Sequence, residues 1–339
     1  MYIKGLNGIR AIAALVLLLG HSSQSWFASW CQDTSFEMVG RTLPVCCAYV
    51  FFVISGFLSG MKSSTNKSLS TYYAGKAQRI FPLYYFYLLI SIIAFLSLGR
   101  IDEVLNVNLL YYVILIPQVP FAGCGTAILP LVHLWFVGTI TIFYLVFPIV
   151  ERLSKGGALF RYALILTCFF FALKLILYLF VGKDTFAYKI VGVSGFDCLF
   201  GGVCLGILVK EQYSLIKRIV NSKFIALIAW LLFLSSGLYG NYIPSPVRVE
   251  YMAIITGLMI LSQLNSNPVI DLENRVCNWI GGISYEIYVM QILVIILLST
   301  LYLKFNLHLH AVFIYLLVVA VVILVAWGTN KLLSKITRA

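Results

Sequence analysis

Apolar runs long enough to cross a bilayer recur down the whole chain, and no other feature constrains its fold as much. A membrane-spanning helix needs about 20 consecutive apolar residues. The sequence supplies such runs at roughly 6–27, 44–61, 80–98, 133–150, 160–181, 190–209, 223–241, 249–265, 279–301 and 310–330. A shorter piece at 109–122 is broken by Pro117 and Pro120. Of the 339 residues, 61% are hydrophobic and 11% charged, and the mean hydropathy is +0.98, which excludes a soluble domain. The runs are continuous rather than alternating, which argues against a β-barrel. The expected fold is an all-α, polytopic transmembrane helix bundle of about ten spans, forming a single integral-membrane domain over residues 1–339. Leu6–Phe27 is too long for a signal-peptide core and lacks a small-residue cleavage site, so it reads as the first span.

A net charge of +12 would suggest nucleic acid in a soluble protein. Here the positive-inside rule accounts for it, and no nucleic-acid partner is expected. With 109–122 set aside as re-entrant or interfacial, one set of loops carries Lys4, Lys62, Lys67, Lys76, Arg79, Arg152, Lys155, Arg161, Lys210, Lys217, Arg218, Lys223, Arg275, Lys331, Lys335 and Arg338. The opposite set carries only Arg41, Arg100, Lys183, Lys189, Arg248 and Lys304. Basic loops mark the cytoplasmic side, so both termini are expected in the cytoplasm. The eight cysteines show no metal-ligand spacing, and most lie in apolar runs, where Cys acts as a small hydrophobe. Cys31 and Cys124 fall in outer loops, where a disulfide between them is open. The His308–His310 pair lacks a neighbouring Cys or carboxylate, so no metal site is expected there.

The first span carries two ionisable side chains, Arg10 and His21. Their separation of eleven residues is close to three helical turns, so they share one face, roughly 16 Å apart along the axis. Ionisable groups inside a span are costly unless they face protein or water, which makes them functional candidates. Lys174, mid-span in FALKLILYL, must likewise pair, snorkel or face a cavity. Asp197 is an acidic residue at a span end.

The segment NGIRAIAALVLLLGH resembles the first-helix signature of acyltransferase family 3, which places a basic residue ahead of a His as Arg10 and His21 stand here. FFVISGFLSG (Phe51–Gly60), KAQRIFPLYY (Lys76–Tyr85), HLWFVG (His133–Gly138) with FYLVFP (Phe143–Pro148), GFDCLFGGVCLGIL (Gly195–Leu208) and GGISYEIYVMQ (Gly281–Gln291) resemble later motifs of that family, in order. Three positions depart from it. Ile140 and Thr141 stand where many members have a Glu pair, Gln291 stands where a His often ends the last block, and Lys76 stands where many have Arg.

The resemblance implies a multi-pass O-acyltransferase of the cell inner membrane. It would move an acyl group, acetyl above all, from cytoplasmic acyl-coenzyme A (acetyl-CoA) to a hydroxyl of a carbohydrate or lipid-linked glycan such as an O-antigen. His21 would be the catalytic base or acyl relay. Arg10 would be catalytic and donor-binding, and Lys76 with Arg79 would hold the donor phosphates. Ser55, His133, Trp135, Tyr285 and Glu286 are candidate substrate-binding residues. Each has a plainer reading. Ser55 beside Gly56 and Gly60 fits close helix packing, Trp135 fits an interfacial anchor, and Lys76 and Arg79 fit a positive-inside flank. The bilayer is the remaining partner, and a homodimer or glycan-assembly proteins are compatible with the reading. The competing class is a transporter or flippase for lipid-linked glycans, with Arg10, Lys76 and Lys174 lining an anionic path.

Overall fold

The computed structural model describes residues 3–24, 30, 34–63, 68–100, 102, 108–123, 127–154, 157–239, 242–307 and 309–336, the side chains of 34–46, 193, 239, 311 and 336 excepted. The expected disulfide partners Cys31 and Cys124, and His308 of the histidine pair, lie outside the described residues. The order of helices is α1 (Leu6–Ser22), α2 (Thr34–Lys62), α3 (Leu69–Ser97), α4 (Leu109–Val113), α5 (Gln118–Phe121), a 3-10 turn (Leu129–Leu134) running into α6 (Trp135–Leu153), α7 (Leu159–Ile176) with a π turn (Leu177–Val181), α8 (Phe186–Ser194), α9 (Phe196–Lys210), α10 (Ser214–Asn221), α11 (Lys223–Tyr239), α12 (Ser245–Gln263), α13 (Arg275–Gly282), α14 (Ser284–Lys304) and α15 (Ala311–Ile336). No strand occurs among the described residues.

Among those residues, 6 stretches are long and apolar enough to cross a membrane: 69–97, 129–153, 159–181, 186–210, 284–304 and 312–335. A seventh follows if α10 and α11, bent by 71° at their junction, form one span. Among the described residues the expected count of about ten is thus met only in part, with Leu6–Ser22 and the 47–62 part of α2 as shorter apolar helices. Helix α1 closes after 17 residues, where Ser22 and Ser23 turn their hydroxyls back onto the carbonyls of Leu19 and Gly20. The 109–122 piece splits into α4 and α5 around Leu115, whose φ of 63° is rare for a bulky residue and incompatible with a continuing helix. The expected 279–301 span starts instead at Ser284, because α13 ends separately at Gly282.

The chain divides into two compact units, one of residues 1–62 and 198–327, the other of residues 63–197 and 328–339. In the first unit α1 packs against α2, α12, α13 and α14. Gly56 and Gly60 of α2 cross Gly202 and Gly206 of α9 so closely that a β-carbon at Gly56 would fall on the Leu199 carbonyl, and one at Gly206 on that of Phe57. Small residues permit such backbone contact between membrane helices, so the plainer reading of the FFVISGFLSG glycines holds. The start of α1 is knitted to the 263–281 stretch. Gly5, in the left-handed region at φ 69°, donates its N–H to Glu273 Oε2 at 2.8 Å, and the other carboxylate oxygen accepts from Asn278 Nδ2 at 2.6 Å. Gly281 lies directly against the Asn7 backbone.

In the second unit, tyrosines of α3 hold the irregular stretch that follows. Tyr84 donates to the Tyr112 carbonyl at 2.7 Å and Tyr87 to the Pro130 carbonyl at 2.5 Å. These bonds pin α3 to the short helical pieces that follow it, the Tyr112 carbonyl also accepting from the Leu115 N–H at 3.2 Å.

Candidate active site

Arg10 and His21 stand on one unbroken helix, α1, as their spacing predicts. Arg10 is half-buried, and its Nη1 donates to Asn7 Oδ1 at 3.3 Å, one turn earlier. His21 is buried at 9% exposure, with the Gln291 side chain of α14 facing it. Gln291 is fully buried, and its Nε2 donates to the Tyr288 carbonyl at 3.0 Å. The helix end beyond His21 is polar and enclosed. Ser22, Ser23 and Gln24 are buried, and Trp30 Nε1 donates to the Ser22 carbonyl at 3.1 Å while its ring meets Tyr302 edge-on at 5.8 Å. An imidazole here is screened from lipid and placed to exchange a proton with a polar partner.

Tyr285 and Glu286 are half-buried in the first turn of α14, on the helix that carries Gln291. Just before them Ser284 Oγ caps the Gly281 carbonyl at 2.8 Å. Ser55, on α2, is half-buried beside the glycine crossing. These residues share the first unit with Arg10 and His21.

Lys76, Arg79, His133 and Trp135 belong to the second unit. The Lys76 ammonium sits over the Tyr144 ring, 3.5 Å from its centroid, with Tyr72 at 5.5 Å. Such a cation–π contact is worth roughly 0.5–2 kcal/mol, more as water is excluded. Lys76 is therefore an oriented cation rather than a loose flanking charge, whereas Arg79 is exposed. His133 is buried, with its ring edge-on to Tyr87 at 5.4 Å. Trp135 is buried and stacked on Phe121 at 5.3 Å, not turned outward as an interfacial anchor would be. Lys174 is ion-paired with Asp197, both almost completely buried, so it is not a cation lining an open anionic path.

Sequence reasoning marked Gln291 only as a departure from a motif and did not single out Asn7, Glu273 or Asn278. The Gly5–Glu273 bond joins residues 268 positions apart, and Gln291 meets His21 across two helices, so no spacing along one helix could show either contact. Among the described residues no group of three or more His, Cys, Asp or Glu could hold a metal ion.

No curated protein and no solved structure matches the chain. The acyltransferase domain of acyltransferase family 3 matches residues 3–329, from the turn before α1 to within α15. The buried His21 and half-buried Arg10 fall inside that match, as does every other candidate residue. The chain therefore belongs to acyltransferase family 3 and is a multi-pass membrane acyltransferase.

Proposed function

We propose that the protein is an O-acyltransferase of the cell inner membrane that moves an acyl group, acetyl in the simplest case, from cytoplasmic acyl-coenzyme A to a hydroxyl of a cell-surface or exported carbohydrate. The observation that most supports this is the burial of His21 beside Gln291, on the helix that carries Arg10 three turns earlier. By the positive-inside reading Arg10 lies toward the cytoplasm, where the donor is available. A guanidinium suits the donor phosphates because it can offer two parallel hydrogen bonds. In the other unit Lys76, held on the Tyr144 ring, and Arg79 are the further cations we propose for donor binding.

The chemistry needed is modest. A neutral imidazole at His21 takes the proton of the attacking hydroxyl as its oxygen bonds to the thioester carbonyl carbon. The carbon–sulfur bond then breaks, and the proton passes to the departing thiolate, giving an ester and the free thiol. Burial of the site keeps water from competing as the nucleophile.

Mass spectrometry of cell-surface glycans tests the proposal. His21→Ala should lower acetylation by about a hundredfold or more, the range for loss of a general base. Arg10→Ala should raise the acetyl-CoA concentration needed. Unchanged acetylation in a stably produced His21→Ala protein would overturn the assignment.

A further inference from the structure

Gln291 sits where it can decide what His21 does, and nothing in the motif resemblance assigns it that work. Its amide nitrogen is already committed, donating to the Tyr288 carbonyl at 3.0 Å. Its carbonyl oxygen is buried and takes no hydrogen bond from any other described residue by strict geometry. The residue as a whole is 0% exposed, and His21 is the side chain it faces. A buried amide oxygen left over in this way is a costly arrangement unless an N–H is brought to it. The imidazole is the group at hand.

We infer that Gln291 is a positioning residue for His21, its amide oxygen receiving one ring N–H and so leaving the lone pair of the other ring nitrogen for the acceptor hydroxyl. The inference rests on the reading of His21 as the proton-accepting group. The chemical reason is that the two ring nitrogens are distinct, and the hydrogen bond made by one sets the protonation of the other. Gln291 suits the task because its orientation is fixed from behind by the Tyr288 carbonyl. With the amide nitrogen bonded there, the oxygen is presented to the ring, and turning the amide to offer its donor to His21 would break the bond to Tyr288. After His21 takes the hydroxyl proton, both ring nitrogens carry hydrogens. The one on Gln291 stays in place, while the other is free to pass to the thiolate. No proton crosses Gln291 itself.

Nitrogen-15 histidine labelling of the full-length protein in nanodiscs reads the tautomer directly. The chain has 4 histidines, and the His21 signals are found by difference from His21→Asn. In the parent protein His21 should show a single tautomer. In Gln291→Leu it should show a mixture, and in Gln291→Glu, which keeps an acceptor, a single tautomer again. Transfer of radiolabelled acetyl from acetyl-CoA to glycans in membranes of the producing cell gives the second readout. Gln291→Leu should lower kcat by about tenfold to a hundredfold, the scale of a misplaced catalytic group, with an unchanged KM for acetyl-CoA. Gln291→Glu should recover most of the rate. If Gln291→Leu does not fold, Gln291→Met carries the same test. Identical His21 ring signals in Gln291→Leu and parent would overturn the inference, as would a rise in KM with kcat unchanged. A shifted tautomer combined with full acetyl transfer by His21→Ala would leave the positioning intact and overturn the acyltransfer role of His21 instead.

Discussion

Two buried polar pairs, His21 with Gln291 and Lys174 with Asp197, solve the same problem in opposite ways. Each places polar groups in an apolar bundle at exposures of 9% or less. Lys174 and Asp197 meet as a direct ion pair. Ammonium and carboxylate neutralise each other, and little chemistry is left to either. His21 and Gln291 carry no fixed opposite charges, so the imidazole keeps a proton to gain or lose. The surroundings differ as well. His21 lies in α1, which packs against four other helices, whereas the apolar stretch of α7 is only 6% buried. On α7 the described buried residues are Leu159, Ala163 and Lys174, so the ion pair is a buried tie on a helix that otherwise presents most of its surface outward. Burial of a charged pair here marks an anchor, and the buried neutral pair is the one we propose as reactive.

The sharpest way to break that contrast is to cut one side of the ion pair. Lys174→Ala leaves Asp197 buried without its countercharge, which should cost about 3–5 kcal/mol. The variant should unfold at markedly lower temperature or denaturant in detergent. Replacing both residues, as Lys174→Met with Asp197→Leu, should recover most of that loss, because an apolar pair of similar volume avoids the desolvation of two charges. The folded double variant should still transfer acyl groups. If it loses transfer while remaining folded, the pair is more than an anchor and the distinction between the two sites fails.

A middle-sized effect is expected where α13 meets the start of α1. A β-carbon at Gly281 would fall on the Asn7 backbone, while one at Gly282 would meet nothing within 4 Å. Gly281→Ala should therefore destabilise by about 1–3 kcal/mol through overpacking, and Gly282→Ala should stay within about 0.5 kcal/mol. Asn7 accepts from Arg10 one turn later, so on the donor role proposed for Arg10 Gly281→Ala should also raise the KM for acetyl-CoA. Thermal unfolding and donor titration of the two variants side by side separate local strain from a general helix effect.

Periodicity along a single helix was legible in the sequence, and contact between helices was not. The alignment of Arg10 with His21 follows from 3.6 residues per turn, and the small residues at Gly56 and Gly60 announced a close crossing. Lys174 and Asp197 were each recognisable as costly, yet their pairing depends on how α7 returns to the start of α9. Gln291 looked like a missing histidine, and only its burial beside His21 gives it a role. Lys76 read as a donor-phosphate cation, or more plainly as a flanking charge, and nothing in KAQR announces that Tyr144, on another helix, lies beneath its ammonium. Helix ends were illegible for a related reason. Hydropathy shows where a chain prefers lipid, but serine back-bonding at Ser22 and the left-handed Leu115 decide where a helix stops.

The smallest effect belongs to the exposed counterpart of the buried ion pair. Lys4 Nζ lies 3.6 Å from Asp271 Oδ2, with the two side chains 41% and 53% exposed. Their charges are as opposite as those of Lys174 and Asp197, but water solvates both, and each long side chain loses freedom to hold the contact. Exposed pairs are worth about 0–1 kcal/mol and weaken as salt is added. Asp271→Asn should therefore shift the unfolding midpoint barely at low salt and not at all at high salt. Two residues on, Glu273 accepts from Gly5 and Asn278, so the backbone at the start of α1 stays tied when the Asp271 charge is removed. A large loss of stability in Asp271→Asn would mean that charge rather than hydrogen bonding holds the start of α1, and the difference between buried and exposed pairs would no longer explain either.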